Sequence, residues 1–64
     1  MKFEILPLVI DPKNRSGVIE VVPDAAEFFG VYIFSHKENE FVWVDDFASK
    51  QAADEYIQHR LKMH

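Results

Sequence analysis

Residues 28–47 read FFGVYIFSH, KENE and FVWVDDF in succession, and this stretch has the pattern of a β-hairpin. Residues 28–36 and 41–47 predict the two strands, and residues 37–40 form a polar loop in which Asn39 suits the left-handed position of a turn. Successive side chains of a strand point to opposite faces. One face of the hairpin therefore holds Tyr32, Phe34, Phe41 and Trp43, and the other holds Phe29, Val31, Ile33, Val42 and Val44.

The residues that follow the hairpin have the pattern of an amphipathic helix. Ser49 is a favoured N-cap residue. The apolar residues after it recur at helical spacing and predict one buried stripe, which consists of Ala53, Tyr56, Ile57 and Leu61. Asp45 and Asp46 lie just ahead of this helix, where carboxylates stabilise the N-terminus, so we interpret them as part of the helix start.

The first half of the chain predicts two more strands and their connections. These are a strand at 2–10, a turn at 11–17, a strand at 18–22 and a connecting turn with some 3₁₀ character at 23–27. Pro7 has no N–H to donate, which predicts that the first strand is a sheet edge or is broken in its middle.

Together these elements predict one α+β domain, residues 1–64. The expected fold is an antiparallel β-meander of three to four strands with one C-terminal helix packed on one face. The pattern leaves open which face of the hairpin the helix covers. Whichever face stays uncovered keeps several bulky apolar side chains, and such a patch is typical of an interface.

The size of the chain also favours association. A chain of 64 residues buries only about 60% of the surface that its unfolded form exposes. The absence of cysteine excludes disulfides and thiolate zinc sites as reinforcement. Six Phe, two Tyr and one Trp can supply an unusually aromatic core, and association into a homo-oligomer, most simply a homodimer, is the other means of stabilisation.

The N-terminal residues do not predict a targeting or membrane segment. Glu4 interrupts the apolar run of residues 3–10, and no small-residue cleavage site follows it. No stretch reaches the roughly 18 apolar residues of a membrane span. We therefore expect a cytoplasmic protein without membrane contact.

The charge balance argues against direct nucleic-acid binding. The formal net charge is −4, with eleven acidic and seven basic residues, whereas DNA-binding modules neutralise phosphates with basic ones. An acidic mimic that inhibits a nucleic-acid-binding protein is the alternative, because carboxylates can be displayed at phosphate-like spacing. The candidate residues for that role are Glu38, Glu40, Asp54 and Glu55.

No catalytic, metal or cofactor motif is present in the pattern. His36, His59 and His64 lack the spacing of a metal-ligand set. No serine lies in a Gly-x-Ser-x-Gly elbow, and two glycines are too few for a phosphate-binding loop. The sequence thus predicts a protein that is not an enzyme and holds no cofactor.

Three segments resemble a pattern in small uncharacterised proteins of proteobacteria and of their phages and plasmids. The segments are FFGVY at 28–32, WVDDF at 43–47, and Ala53 with Tyr56. In those proteins a strand with FxGVY leads through a polar hairpin to WVADF and a helix with AxxYA. The resemblance implies a hairpin-helix unit and an origin in a phage or other mobile element. Asp45 replaces the usual small residue, and the pattern carries no catalytic position.

These observations favour a non-enzymatic protein–protein interaction module. We expect it to self-associate through the open sheet face or an edge, and to act as a phage- or plasmid-borne modulator of a host protein. The expected interaction surface is the aromatic set Tyr32, Phe34, Phe41 and Trp43.

Overall fold

A computed structural model describes residues 1–62 of the chain. The elements are β1 (Phe3–Ile10), β2 (Val18–Glu20), a 3₁₀ turn (Pro23–Ala25), β3 (Phe28–Ser35), β4 (Glu40–Phe47) and α1 (Lys50–Lys62). The strands form one antiparallel sheet, and α1 contacts β1, β3 and β4. The predicted α+β fold, with four antiparallel strands and one C-terminal helix on one face, is confirmed.

The strand order is β2-β1-β3-β4, so it differs from a meander in sequential order. β1 and β2 form a hairpin over only three residue pairs, whereas β1 and β3 pair over six. The chain leaves β2 beside Pro7, where the N–H of Val21 donates to the Pro7 carbonyl, and it crosses β1 through residues 21–27. It joins the other side of β1 beside Leu8, whose carbonyl accepts the N–H of Glu27, and β3 then runs in the same direction as β2. The two edges of the sheet are β2 and β4.

β1 is unbroken at Pro7, so the expectation of a break at this residue is wrong. β1 lies between β2 and β3 in the strand order, but β2 pairs only with residues 8–10, so Pro7 has a strand partner on the β3 side alone. The N–H of Val21 donates to the carbonyl of Pro7 at 2.9 Å, so the main-chain polar groups of Pro7 point toward the β2 side. A hydrogen-bonded antiparallel pair needs the reciprocal bond as well. Proline cannot donate it, which explains why β2 ends at Glu20.

The helix covers the face of the sheet that holds Phe47 and Val31. The rings of Phe47 and Tyr56 lie 5.1 Å apart, and Val31 and Ala53 have no exposed surface. Phe29 pairs with Phe47 across β3 and β4 and shares that face. Of the predicted helical stripe, Ala53 is buried and Tyr56 and Ile57 are half-buried. Leu61 was expected in the core but is 40% exposed.

The start of α1 is as predicted at Ser49 but not at the two aspartates. The Ser49 hydroxyl accepts the N–H of Ala52 at 3.1 Å, which confirms the N-cap. Asp45 and Asp46 belong to β4 and hydrogen-bond to neighbours on that strand. Their interpretation as part of the helix start is therefore wrong. No helix within residues 1–62 is long and apolar enough to cross a bilayer.

Candidate interaction surface

The four aromatic residues singled out in the sequence lie together as two neighbouring cross-strand pairs. Tyr32 pairs with Trp43, and Phe34 pairs with Phe41. The rings of Phe34 and Phe41 meet edge to face with centroids 5.5 Å apart, a favourable aromatic geometry. Even-numbered residues of β3 point away from the face that holds Val31. The pairs therefore lie on the face that α1 does not cover, here called the open face.

Trp43 is the most exposed of these residues. It is 58% exposed, whereas Tyr32, Phe34 and Phe41 are half-buried. The indole N–H of Trp43 donates to Oδ1 of Asp46 at 2.9 Å, which fixes the ring against the sheet surface. A large ring held in this way on an uncovered face presents apolar area with little rotamer freedom left to lose on binding.

A β-bulge brings Asp46 to the open face. The β3–β4 register shifts between Val31 and Tyr32, so that Tyr32 pairs with Trp43 while Gly30 pairs with Asp46. Gly30 and Tyr32 are two residues apart and share a face, whereas their partners are three apart because the bulge adds one residue. Strict alternation would put Asp46 on the helix face, and sequence reasoning missed it for that reason.

Gly30 makes room for a cluster at the centre of the open face. A Cβ at this position would lie 2.8 Å from Cδ1 of Leu8, 3.1 Å from Cε1 of Tyr32 and 3.3 Å from Oδ1 of Asp46. These three side chains therefore converge over the glycine. Leu8 is only 3% exposed, so it forms the buried floor of the open face.

Two more carboxylates, one of them beside Tyr32, lie on the open face. Glu4 pairs with Tyr32 across β1 and β3, and Glu20 pairs with Leu8 across β1 and β2. Burial raises the pKa of the Tyr32 phenol above its ordinary value of 10.0, and the negative charges of Asp46, Glu20 and Glu4 raise this pKa further. The centre of the open face is thus aromatic and negatively charged. The sequence did not indicate that Glu4 and Glu20 lie on this face, because the positions of β1 and β2 in the sheet could not be predicted.

The end of the open face near the β3–β4 turn carries a cation. Nζ of Lys2 lies 5.7 Å from the centroid of the Phe41 ring, within the range of a cation–π contact. His36 packs edge to face on Phe34 at 5.1 Å. The predicted turn residue Asn39 has a φ of 57°, which confirms its left-handed conformation.

The acidic residues of the alternative hypothesis are divided among a turn, a strand and the helix. Glu38 lies in the β3–β4 turn and Glu40 begins β4, whereas Asp54 and Glu55 lie on α1. Nζ of Lys50 contacts Oδ2 of Asp54 at 3.2 Å, and the Gln51 amide donates to Glu55 at 3.3 Å. The fold does not bring the four carboxylates onto one element, and the nucleic-acid-mimic hypothesis stays a prediction.

Residues 1–62 contain no group of three or more His, Asp or Glu side chains that could hold a metal ion. His64, one of the three histidines weighed in the sequence, lies outside the described residues. An open depression of about 600 Å³ lies beside the β1–β2 turn, lined by Ile10, Asp11, Pro12, Arg15 and Glu27. The Glu27 carboxylate there accepts the N–H of Ile10 at 3.2 Å.

Comparison with models of known families, with curated proteins and with solved structures finds no match for this chain. The resemblance of residues 28–58 to phage and plasmid proteins therefore stays a prediction. What the geometry defines is a class: a small α+β protein whose four-stranded sheet has a helix on one face and an aromatic, acidic surface on the other.

Proposed function

We propose that this chain is a non-enzymatic module that binds a partner protein through its open face. The observation that carries the proposal is Trp43, which is 58% exposed and hydrogen-bonded in place beside Tyr32 on the uncovered side of the sheet. Buried aromatic anchors dominate binding energy at protein interfaces. The resemblance to phage and plasmid proteins favours a host protein in the cytoplasm as the partner.

The chain exposes more surface than a compact monomer of its mass. The chain exposes 4912 Å² at a mass of 7.5 kDa, whereas a monomeric globular protein of that mass exposes about 4,250 Å². The excess is about 650 Å². It reflects a thin molecule with principal extents of 40 × 27 × 16 Å.

The test is affinity capture from the native host, followed by binding measurements with the purified partner. Trp43→Ala should weaken the complex about thirtyfold or more, because truncation of a central aromatic anchor costs about 2 kcal/mol or more. Leu61→Ala is the matched control, since Leu61 is also an exposed apolar residue but lies on α1. It should leave the affinity unchanged.

Two results would contradict the proposal. One is a partner that binds wild type and Trp43→Ala equally well. The other is amide-exchange protection that appears on α1 and not on the open face when the complex forms. In both cases the exposed aromatic surface would have no part in recognition.

Self-association is the second candidate, and the apolar β2 edge favours it. Ile10, Val18 and Ile19 are 51%, 49% and 42% exposed at or beside this edge. The other edge, β4, carries Glu40, Asp45 and Asp46, and the Asp45 carboxylate occupies the N–H of Asp46 at 2.8 Å. Charges and occupied N–H groups discourage edge pairing. We therefore propose β2 as the edge that joins two copies.

Antiparallel pairing of two β2 strands about Ile19 puts Glu20 opposite Val18 of the copy, so like charges do not meet. Sedimentation equilibrium should detect a dimer at high micromolar concentration, and Ile19→Lys should abolish it while Trp43→Ala should not. A strict monomer over this range, or a dimer that only Trp43→Ala disrupts, would exclude pairing through β2.

A further inference from the structure

The centre of the open face combines two aromatic rings with three carboxylates. Tyr32 and Trp43 lie opposite each other on β3 and β4. Glu4 lies on the β1 side of Tyr32, and Asp46 accepts the indole N–H of Trp43. Glu20 lies farther along the same face, opposite Leu8.

These carboxylates have no ion-pair partner within residues 1–62. The ion pair found in that part of the chain joins Lys50 and Asp54 on the helix. Lys2 is the cation on the open face itself, and its ammonium group lies over Phe41, one cross-strand pair away from Trp43. The negative charge beside Tyr32 and Trp43 is therefore available to a group from outside the chain.

The chain already places cations on aromatic rings at two other positions. Lys2 lies over Phe41, and the Arg60 guanidinium lies over Tyr56, each at 5.7 Å from the ring centroid. Carboxylates are adjacent to the unoccupied rings, and a cation there would gain both the ring contact and charge neutralisation.

We propose that the open face recognises a basic peptide segment, with an arginine side chain stacked on Trp43 and neutralised by Asp46 and Glu4. The inference rests on the proposed function and names the chemistry of the partner. Arginine fits better than lysine, because its planar guanidinium can stack on a ring and still donate to a carboxylate. An apolar residue flanking the arginine packs on Phe34. A second copy is a poorer occupant of this face, because it would bring the same carboxylates against each other.

The test uses two synthetic peptides, acetyl-Leu-Arg-Leu-amide and its citrulline analogue, which has the same shape without the charge. The full chain, labelled with ¹⁵N, is titrated with each peptide at low ionic strength. Trp43 is the only tryptophan of the sequence, so its indole N–H gives a unique signal. The arginine peptide should shift this signal, and the citrulline peptide should bind about two- to fivefold more weakly or worse.

Two conservative variants locate the contact. Asp46→Asn keeps an oxygen that can accept the Trp43 N–H, and Glu4→Gln keeps the shape of the side chain, so both should fold normally. Each should weaken arginine-peptide binding about two- to fivefold. Asp54→Asn, which removes a carboxylate from the helix, is the control and should leave binding unchanged.

Equal binding of the two peptides would overturn the inference, and so would an arginine effect that Asp46→Asn and Glu4→Gln leave unchanged. A Trp43 signal that shifts with protein concentration alone would show a second copy on this face and would overturn it as well. If any of these three results occurs while Trp43→Ala still disrupts the complex with a captured partner, the proposed function stands and only the basic chemistry is wrong.

Discussion

At the scale of single residues, Gly30 controls the shape of the open face. A Cβ at Gly30 would lie 2.8 Å from Leu8 Cδ1, closer than carbon atoms pack, so Leu8 and the Tyr32 ring would have to move. We expect Gly30→Ala to lower the free energy of unfolding by about 1–3 kcal/mol, the usual effect of overpacking. Urea denaturation followed by circular dichroism measures this change.

Gly17→Ala is the matched control for that variant. Neither glycine has a positive φ, and the nearest atom to a Cβ at Gly17 is 3.4 Å away. The control should therefore be neutral or more stable by about 0.4–1 kcal/mol, because alanine restricts the unfolded chain. Equal destabilisation by the two variants would show that crowding over Gly30 is not the cause.

The pKa of the Tyr32 phenol depends on the burial and the charges at the centre of the open face. Burial and the charges of Asp46, Glu20 and Glu4 raise the pKa of the phenol above 10.0. The neutral phenol thus contributes stability that is fully present below pH 10.0 and is lost as the pH rises through the higher pKa of the folded state. In Tyr56→Phe, where Tyr32 is the remaining tyrosine, ultraviolet absorbance should give a pKa above 10.0.

Asp46→Asn in the same background should lower that pKa, because it removes the largest of the three charge effects. A phenol that titrates at or below its ordinary pKa, or one that Asp46→Asn leaves unchanged, would show that the carboxylates do not act on Tyr32.

At the scale of elements, substitutions can show whether α1 is stabilised at its start by the Ser49 cap or by the aspartates that precede it. The Ser49 hydroxyl accepts the Ala52 N–H, so Ser49→Ala should lower the free energy of unfolding by about 1 kcal/mol. Ser49→Asp should retain most of the stability, since aspartate is an equally good cap. Thermal unfolding by circular dichroism checks both variants. Destabilisation by Asp45→Asn equal to that of Ser49→Ala would instead restore the helix-start interpretation of the aspartates.

Local patterns explain which elements were predictable from the sequence. The alternation in residues 28–47 and the cap and stripe after Ser49 are short-range signals, and they gave the hairpin, the helix and the shared face of Tyr32, Phe34, Phe41 and Trp43. The partner strands of β1 depend on contacts distant in the chain, so the order β2-β1-β3-β4 was not predictable. Two of the three site residues that the sequence did not indicate depend on the same strand order.

The missed residues are Glu4, Glu20 and Asp46. Glu4 and Glu20 join the open face only because β1 lies between β2 and β3. Asp46 joins it because one bulge residue breaks the two-residue repeat. Pro7 interrupts strand pairing, as its missing N–H predicts. The strand that ends there is the neighbouring β2, whereas β1, which contains Pro7, continues unbroken.

At the scale of the whole molecule, the open face has a buried floor and an exposed surface layer, and we propose that only the surface layer serves binding. Within the described residues, the buried apolar side chains are Leu8, Val31 and Ala53. Leu8 lies under the open face, and Trp43, on the same face, is more than half exposed. Stability and recognition should therefore be separable on one side of the sheet.

Leu8→Ala and Trp43→Ala test this separation. Leu8→Ala should cost about 2–5 kcal/mol through loss of buried contacts, which approaches the total of about 3–5 kcal/mol that so small a core supplies. Trp43→Ala should cost less than about 1 kcal/mol, because most of the ring is already in water. Urea unfolding followed by far-ultraviolet circular dichroism compares the variants without relying on tryptophan fluorescence. If Trp43→Ala unfolds the chain as readily as Leu8→Ala does, the ring belongs to the core, and the open face loses the residue on which its proposed role in binding depends.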